Sequence, residues 1–167
     1  MKKILKSVVF LAFLATFAGC VKDNGPNGNT DLANYTYSVQ PNQWYERGDV
    51  GYSGFQVFCE IDIPGITQDV MDYGAVMVYV KRDDLNLFYP LPVITNLYDN
   101  VNGYAYVNTI QNNVYLGMVE IFIEDTDYLT VVPGPMTFKV VVFNQLKSLP
   151  ASLNIKDYKQ VEAYLNN

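Results

Sequence analysis

From Phe55 to Ile63 every odd position is apolar, and the polar residues Gln56, Glu60 and Asp62 fall between them. Only an extended strand with one face against a core and the other toward water satisfies a period of two. A strand of that kind cannot stand alone. It needs hydrogen-bonded neighbours and a second layer over its apolar face, so the pattern commits this part of the chain to a sheet within a layered β structure.

The neighbours are legible at short intervals. Tyr35 to Tyr45 begins with Tyr35, Tyr37 and Val39 in alternation and is interrupted by Pro41, which suits an edge or a bulge. Ala75 to Lys81 is almost continuously apolar, as a central strand should be. Leu87 to Ile94 contains Pro90 and Pro92, the mark of an edge or of a kinked crossing. Tyr104 to Val107, Val114 to Glu124 and Met136 to Phe143 complete about seven strands separated by Gly, Asn, Asp and Pro. That spacing predicts an all-β, antiparallel β-sandwich, immunoglobulin-like or jelly-roll-like. Two segments read as helix instead. Ile66 to Tyr73 places Ile66, Val70 and Tyr73 on one side. At the C-terminus Ile155, Tyr158, Val161, Tyr164 and Leu165 recur at three- and four-residue spacing, with Asn154 or Ser152 as N-cap and Asp157 near the positive end of the helix.

The first nineteen residues follow another rule. Lys2, Lys3 and Lys6 precede the apolar run Val8 to Phe17, too short to span a bilayer, and Ala18-Gly19 stands directly before Cys20. A positive start, an apolar stretch and small residues form an export signal that is removed. A cysteine immediately after it marks lipoprotein processing, with Cys20 acylated as the first mature residue; Phe17 stands where such signals usually carry Leu. The alternative is a plain secreted chain. Several acyl chains, palmitate among them, give stable anchoring at about 0.8 kcal/mol per buried methylene. The expected organisation is therefore a signal peptide over 1–19, a lipidated tether over 20–33, a sandwich over 34–150 and a packed helix over 151–167. The tether is rich in turn formers, and a dozen extended residues reach roughly 40 Å.

Removing the signal takes three of eleven basic residues and none of seventeen acids, leaving a net charge of −9. Such a domain repels nucleic acid and anionic headgroups, so the lipid on Cys20 holds the membrane and no nucleic-acid partner is expected. With Cys20 modified, Cys59 is the one remaining thiol, and no intramolecular disulfide can form. Stability must come from the hydrophobic core.

The chain has no histidine, which excludes Ser-His-Asp and Cys-His mechanisms and histidine zinc sites. Cys59 shares parity with Val57 and Ile61, so it reads as a buried thiol rather than a nucleophile. Carboxylate pairs are the remaining catalytic route; Glu60 and Asp62 share a strand face, where exposed acids ordinarily serve solvation. Glu124, Asp125 and Asp127 are weak metal candidates with hard oxygen ligands, and Asp83-Asp84 offers a similar cluster. Neither matches an EF-hand, and Asp99 to Gly103 fails it because Val101 holds a ligand position. No catalytic residue, cofactor or metal is expected. The chain has fourteen tyrosines and one tryptophan. Trp44, Tyr45 and Tyr52, near turns around the first strands, are candidate ligand contacts on which sugar rings or peptides stack; tyrosine is equally a favoured strand residue with a packed ring and a wet hydroxyl.

The order of Trp44, Phe55 to Pro64, Tyr73 to Val80, Tyr89-Pro90-Leu91-Pro92 and Met136 to Val142 resembles a group of uncharacterised Bacteroidetes lipoproteins. In that family a collagen-like Gly-rich tract often follows the lipobox, and Gly25-Pro26-Asn27-Gly28 looks like a remnant of it. The tail, Asp157-Tyr158 to Leu165, is similar to the family's closing helix. The resemblance implies a β fold and an outer-membrane lipoprotein, periplasmic or surface-exposed, and implies no catalytic residue. The expectation is a non-enzymatic, membrane-anchored module of the cell envelope that binds a protein or glycan partner. A glycan-capturing accessory protein is the alternative, and a carboxylate-dependent hydrolase a remoter one.

Overall fold

The chain alternates between two sheets, and prolines and glycines set the places where it changes over. The computed structural model describes residues 22–24, 32–82 and 85–166. The export segment, Cys20, the Gly25 to Gly28 tract and Asp83-Asp84 lie outside them. The strands are β1 (Lys22–Asn24), β2 (Leu32–Val39), β3 (Tyr45–Arg47), β4 (Gln56–Asp62), β5 (Ala75–Arg82), β6 (Leu87–Pro90), β7 (Val93–Asp99), β8 (Tyr104–Tyr115), β9 (Met118–Asp125) and β10 (Met136–Phe143). The helices are α1 (Gln68–Tyr73) and α2 (Tyr158–Leu165). One antiparallel sheet has the order β1-β2-β10-β5-β6 and the other β3-β4-β9-β8-β7. The protein is an all-β sandwich with a short C-terminal helix.

Ten strands replace about seven because two expected strands divide between the sheets. A 3₁₀ turn over Pro41–Gln43 separates β2, in the first sheet, from β3, in the second. Leu91-Pro92 likewise separates β6, one edge of the first sheet, from β7, an edge of the second. The two-proline segment is thus both edge and crossing. The expected strand Val114 to Glu124 breaks at Leu116-Gly117, where Gly117 takes a φ of +76° that suits glycine and lets β8 fold back on β9.

The tenth strand lies in the expected tether. Lys22–Asn24 pairs antiparallel with β2, Lys22 opposite Thr36 and Asn24 opposite Asn34. β2 itself starts at Leu32, two residues before the expected boundary, because Leu32 pairs with Phe143 and is buried with it.

Between the sheets, Val57, Cys59 and Ile61 of β4 meet Val119, Ile121 and Ile123 of β9 and Val78, Val80, Phe138, Val140 and Val142 of the opposing sheet. Full burial of one such side chain contributes about 1.5–3 kcal/mol. α1 begins one residue after Thr67, whose hydroxyl accepts from the Val70 amide. It stops at Gly74, where a Cβ would stand 2.1 Å from the Phe143 carbonyl oxygen.

A second apolar cluster occupies the outer face of the first sheet. Tyr79, Val141 and Phe143 are covered there by Tyr158 and Val161 of α2, and the Tyr79 and Tyr158 rings meet edge to face at 5.0 Å. The N-cap of α2 is Asp157, which accepts from the Lys159 amide, and not Asn154 or Ser152. Asn154 instead accepts from the Lys156 amide in the preceding turn.

Candidate functional site

With α2 over the first sheet, the outer face of the second remains open, and Tyr45, Ile94, Tyr98 and Tyr115 are exposed on it. The period of two that buries Val57, Cys59 and Ile61 turns Phe58, Glu60 and Asp62 outward. On β9 it turns Glu120 and Phe122 to the same side. Glu60 and Glu120 are direct cross-strand partners, a placement in which like charges repel at about 5 Å between Cβ atoms.

Arg47 resolves that repulsion. From β3 it reaches over β4, its guanidinium carbon 4.1 Å above the Phe58 ring, and donates to Glu120 Oε2 at 2.5 Å and Oε1 at 3.4 Å. Asn113 of β8 donates to Oε1 at 3.2 Å. Glu120 is only 4% exposed although it lies on the open face. The arginine hydrogen bond, and after it the Asn113 bond, hold its carboxyl below the usual carboxylate range despite burial. The same bond to Glu120 raises Arg47 further. Tyr45 also packs against Phe58, its ring tilted by 41° with centroids 5.8 Å apart. Four strands therefore contribute one row, Tyr45, Phe58, Arg47, Glu120 and Asn113, of rings interleaved with a fixed charge pair.

This row can stack a planar group or the apolar face of a sugar and offer directed donors beside it. It is poorly suited to acid catalysis, because a general acid needs a raised carboxyl pKa and Glu120 has a lowered one. The pairing of Arg47 with Glu120, 73 residues apart, escapes a reading of local pattern. Its traces are an arginine alone in a long acidic stretch and an acid set between Val119 and Ile121.

The expected aromatic contacts separate. Tyr45 belongs to the row. Tyr52 is 71% exposed in the β3–β4 loop and not on a strand of the row. Trp44 is 6% exposed and lies edge-on to Phe138 at 6.3 Å inside the core. It is a core residue and not a platform, because it directly precedes β3, where the chain passes between the sheets.

The metal candidates also separate. Glu124 and Asp125 are consecutive on a strand and face opposite sides. Glu124 accepts from Gln111 at 3.5 Å on the open face. Asp125 turns inward, accepts from Asn108 at 2.7 Å and is pushed up by burial. Asp127 accepts from the Tyr104 hydroxyl at 3.1 Å and the Leu129 amide at 3.0 Å. Among the described residues no three His, Cys, Asp or Glu side chains are grouped to hold a metal. Cys59 is buried, and desolvation pushes its thiol up to about 12. Asp99 caps its own hairpin turn by accepting from the Val101 and Asn102 amides.

A cavity of about 560 Å³ lies between β6 and the start of α2. Phe88 and Tyr158 line it, 4.9 Å apart. Lys139 bonds the Tyr158 hydroxyl and lies 3.6 Å from Glu162, and Asp157 is engaged in capping. Tyr158, Asp157 and Glu162 of its lining thus take part in holding α2 in place.

No protein family, curated protein or solved structure matches the chain. Among the described residues no helix is long and apolar enough to cross a membrane.

Proposed function

We propose that the chain is a membrane-anchored lipoprotein of the bacterial cell envelope, a non-enzymatic module that presents the open face of its second sheet to a partner. The observation that carries this reading is the built row on that face: a nearly buried carboxylate held by Arg47 and Asn113 and flanked by Phe58 and Tyr45. A row of that kind costs desolvation and is rigid, which suits recognition. The lipid anchor rests on the sequence from Lys2 to Cys20, and the kinship with Bacteroidetes lipoproteins on the strand pattern. Anchoring is tested by Cys20→Ser, which releases the protein from membranes; continued membrane fractionation refutes it.

The glycan reading draws on Tyr45 and Tyr115, exposed on the same face as Arg47. A glycan array probed with the soluble domain tests it, with Tyr45→Ala as the control that abolishes any signal. Silence across the array removes sugars and leaves a protein partner.

A further inference from the structure

The registers gather most turns at one end of the sandwich. The β3–β4 loop, the β5–β6 turn, the β7–β8 hairpin and the long β9–β10 connection all emerge there, beside the ends of β2 and β5. The Gly51 amide donates to the Tyr128 carbonyl at 2.9 Å and ties two of these loops together. This end is unusually apolar for a solvated surface. Val50, Tyr52, Val101, Tyr128, Leu129 and Val131 are exposed on it, Val101 at 92% and Val131 at 77%. Exposed apolar groups gathered in this way mark an interaction surface.

The register of β1 says what covers it. Because β1 runs antiparallel to β2 with Lys22 opposite Thr36, its N-terminal side points toward Val39, the loop end of β2. Cys20 stands two positions before Lys22, a reach of at most about 7 Å. A lipid on Cys20 is therefore held within that reach of Lys22, and Lys22 is paired three residues from the loop end of β2. A stalk of roughly 40 Å, which a free tether would allow, is lost once β1 is zipped to the sheet.

We infer that the domain lies with its loop-bearing end against the lipid surface, Tyr52 and Tyr128 at the interfacial layer and the neighbouring Val and Leu side chains beneath them. The inference rests on acylation of Cys20. Tyrosine suits the interface because its ring is apolar and its hydroxyl wet. The acids Asp49, Asp99 and Asp127 at the same end select a zwitterionic surface over an anionic one. This orientation leaves the open face of the second sheet standing upright and accessible.

The test uses the acylated chain reconstituted in phosphatidylcholine vesicles, with a thiol-reactive fluorophore on Val131→Cys, Val101→Cys or, at the opposite end, Leu116→Cys. All three side chains are exposed, so folding tolerates the changes. Cys59 is buried and Cys20 carries the lipid, so the introduced thiol alone reacts. Lipids brominated on their acyl chains should quench and blue-shift the label at 131 and 101 and leave the one at 116 unchanged. The mass of the N-terminal fragment reads acylation independently. Unquenched or equally quenched labels on an acylated chain overturn the orientation alone; a fragment without acyl mass overturns the anchor and the orientation with it.

Discussion

Arg47→Ala tests the row on the open sheet most directly. The substitution removes both guanidinium bonds to Glu120 and leaves a carboxylate that is almost fully buried, held by Asn113 alone and facing Glu60 across the strand pair. Losing a hydrogen bond to a charged group costs about 1.5–3 kcal/mol. The Arg47 side chain is 44% exposed, so water recovers part of that, and the expected cost is about 1–2 kcal/mol at pH 7. For a domain of this size it lowers Tm by roughly 2–8 °C. The pH dependence separates charge from packing. Glu120 has a depressed pKa in the folded state, so its contribution is complete above the ordinary carboxylate range and is lost as pH falls through the depressed value. In the variant the carboxyl protonates at higher pH, and the unpaired charge disappears. The gap between wild type and Arg47→Ala, measured by urea unfolding of residues 21–167, should therefore narrow from pH 7 to pH 3. A gap that stays constant, or one below about 0.5 kcal/mol at pH 7, refutes the electrostatic account of the row.

Three further outcomes follow from the packing. Val161→Ala deletes two methyl groups from a fully buried site beneath α2 and should cost about 2–3 kcal/mol in urea unfolding. Gly74→Ala sets a methyl group against the Phe143 carbonyl; it should destabilise by more than the roughly 1 kcal/mol that a helix-end glycine change alone involves, read by thermal melting. Cys59 should resist thiol reagents at pH 8 in the native protein and react at once in urea, because desolvation keeps it protonated with a pKa of about 12; native labelling at the rate of a free thiol contradicts its burial.

The two-layer fold is legible from sequence because the signal is local. Phe55 to Ile63 and Met136 to Phe143 write burial as a pattern of neighbouring residues, and turn formers mark the ends. The division of Tyr35 to Tyr45 and Leu87 to Ile94 between sheets is only half legible: Pro41 and Pro92 announce an interruption, but which sheet receives the next residues depends on pairing with strands far along the chain. Trp44 shows the limit for function. Its place beside Tyr45 suggests a platform, while its burial is decided by Phe138, ninety-four residues away. The Arg47 and Glu120 pair fails to show for the same reason. β1 is hidden differently, since Lys22-Asp23-Asn24 has no apolar pattern, yet it pairs antiparallel with β2.

The position of β10 governs when this architecture can exist at all. It lies between β2 and β5 and is paired with both, yet it comes last among the strands of the described residues, and Leu32, the partner of its Phe143, stands more than a hundred residues earlier. Until β10 arrives, all five strands of the second sheet are present but β2 and β5 have no strand between them, so the first sheet cannot close over the core, and non-local closure of this sort is slow. The sandwich therefore closes only when nearly all of the described chain is available to it. Truncation anywhere before Met136 should leave a species whose second sheet has no partner layer, and thus a ready target for proteolysis.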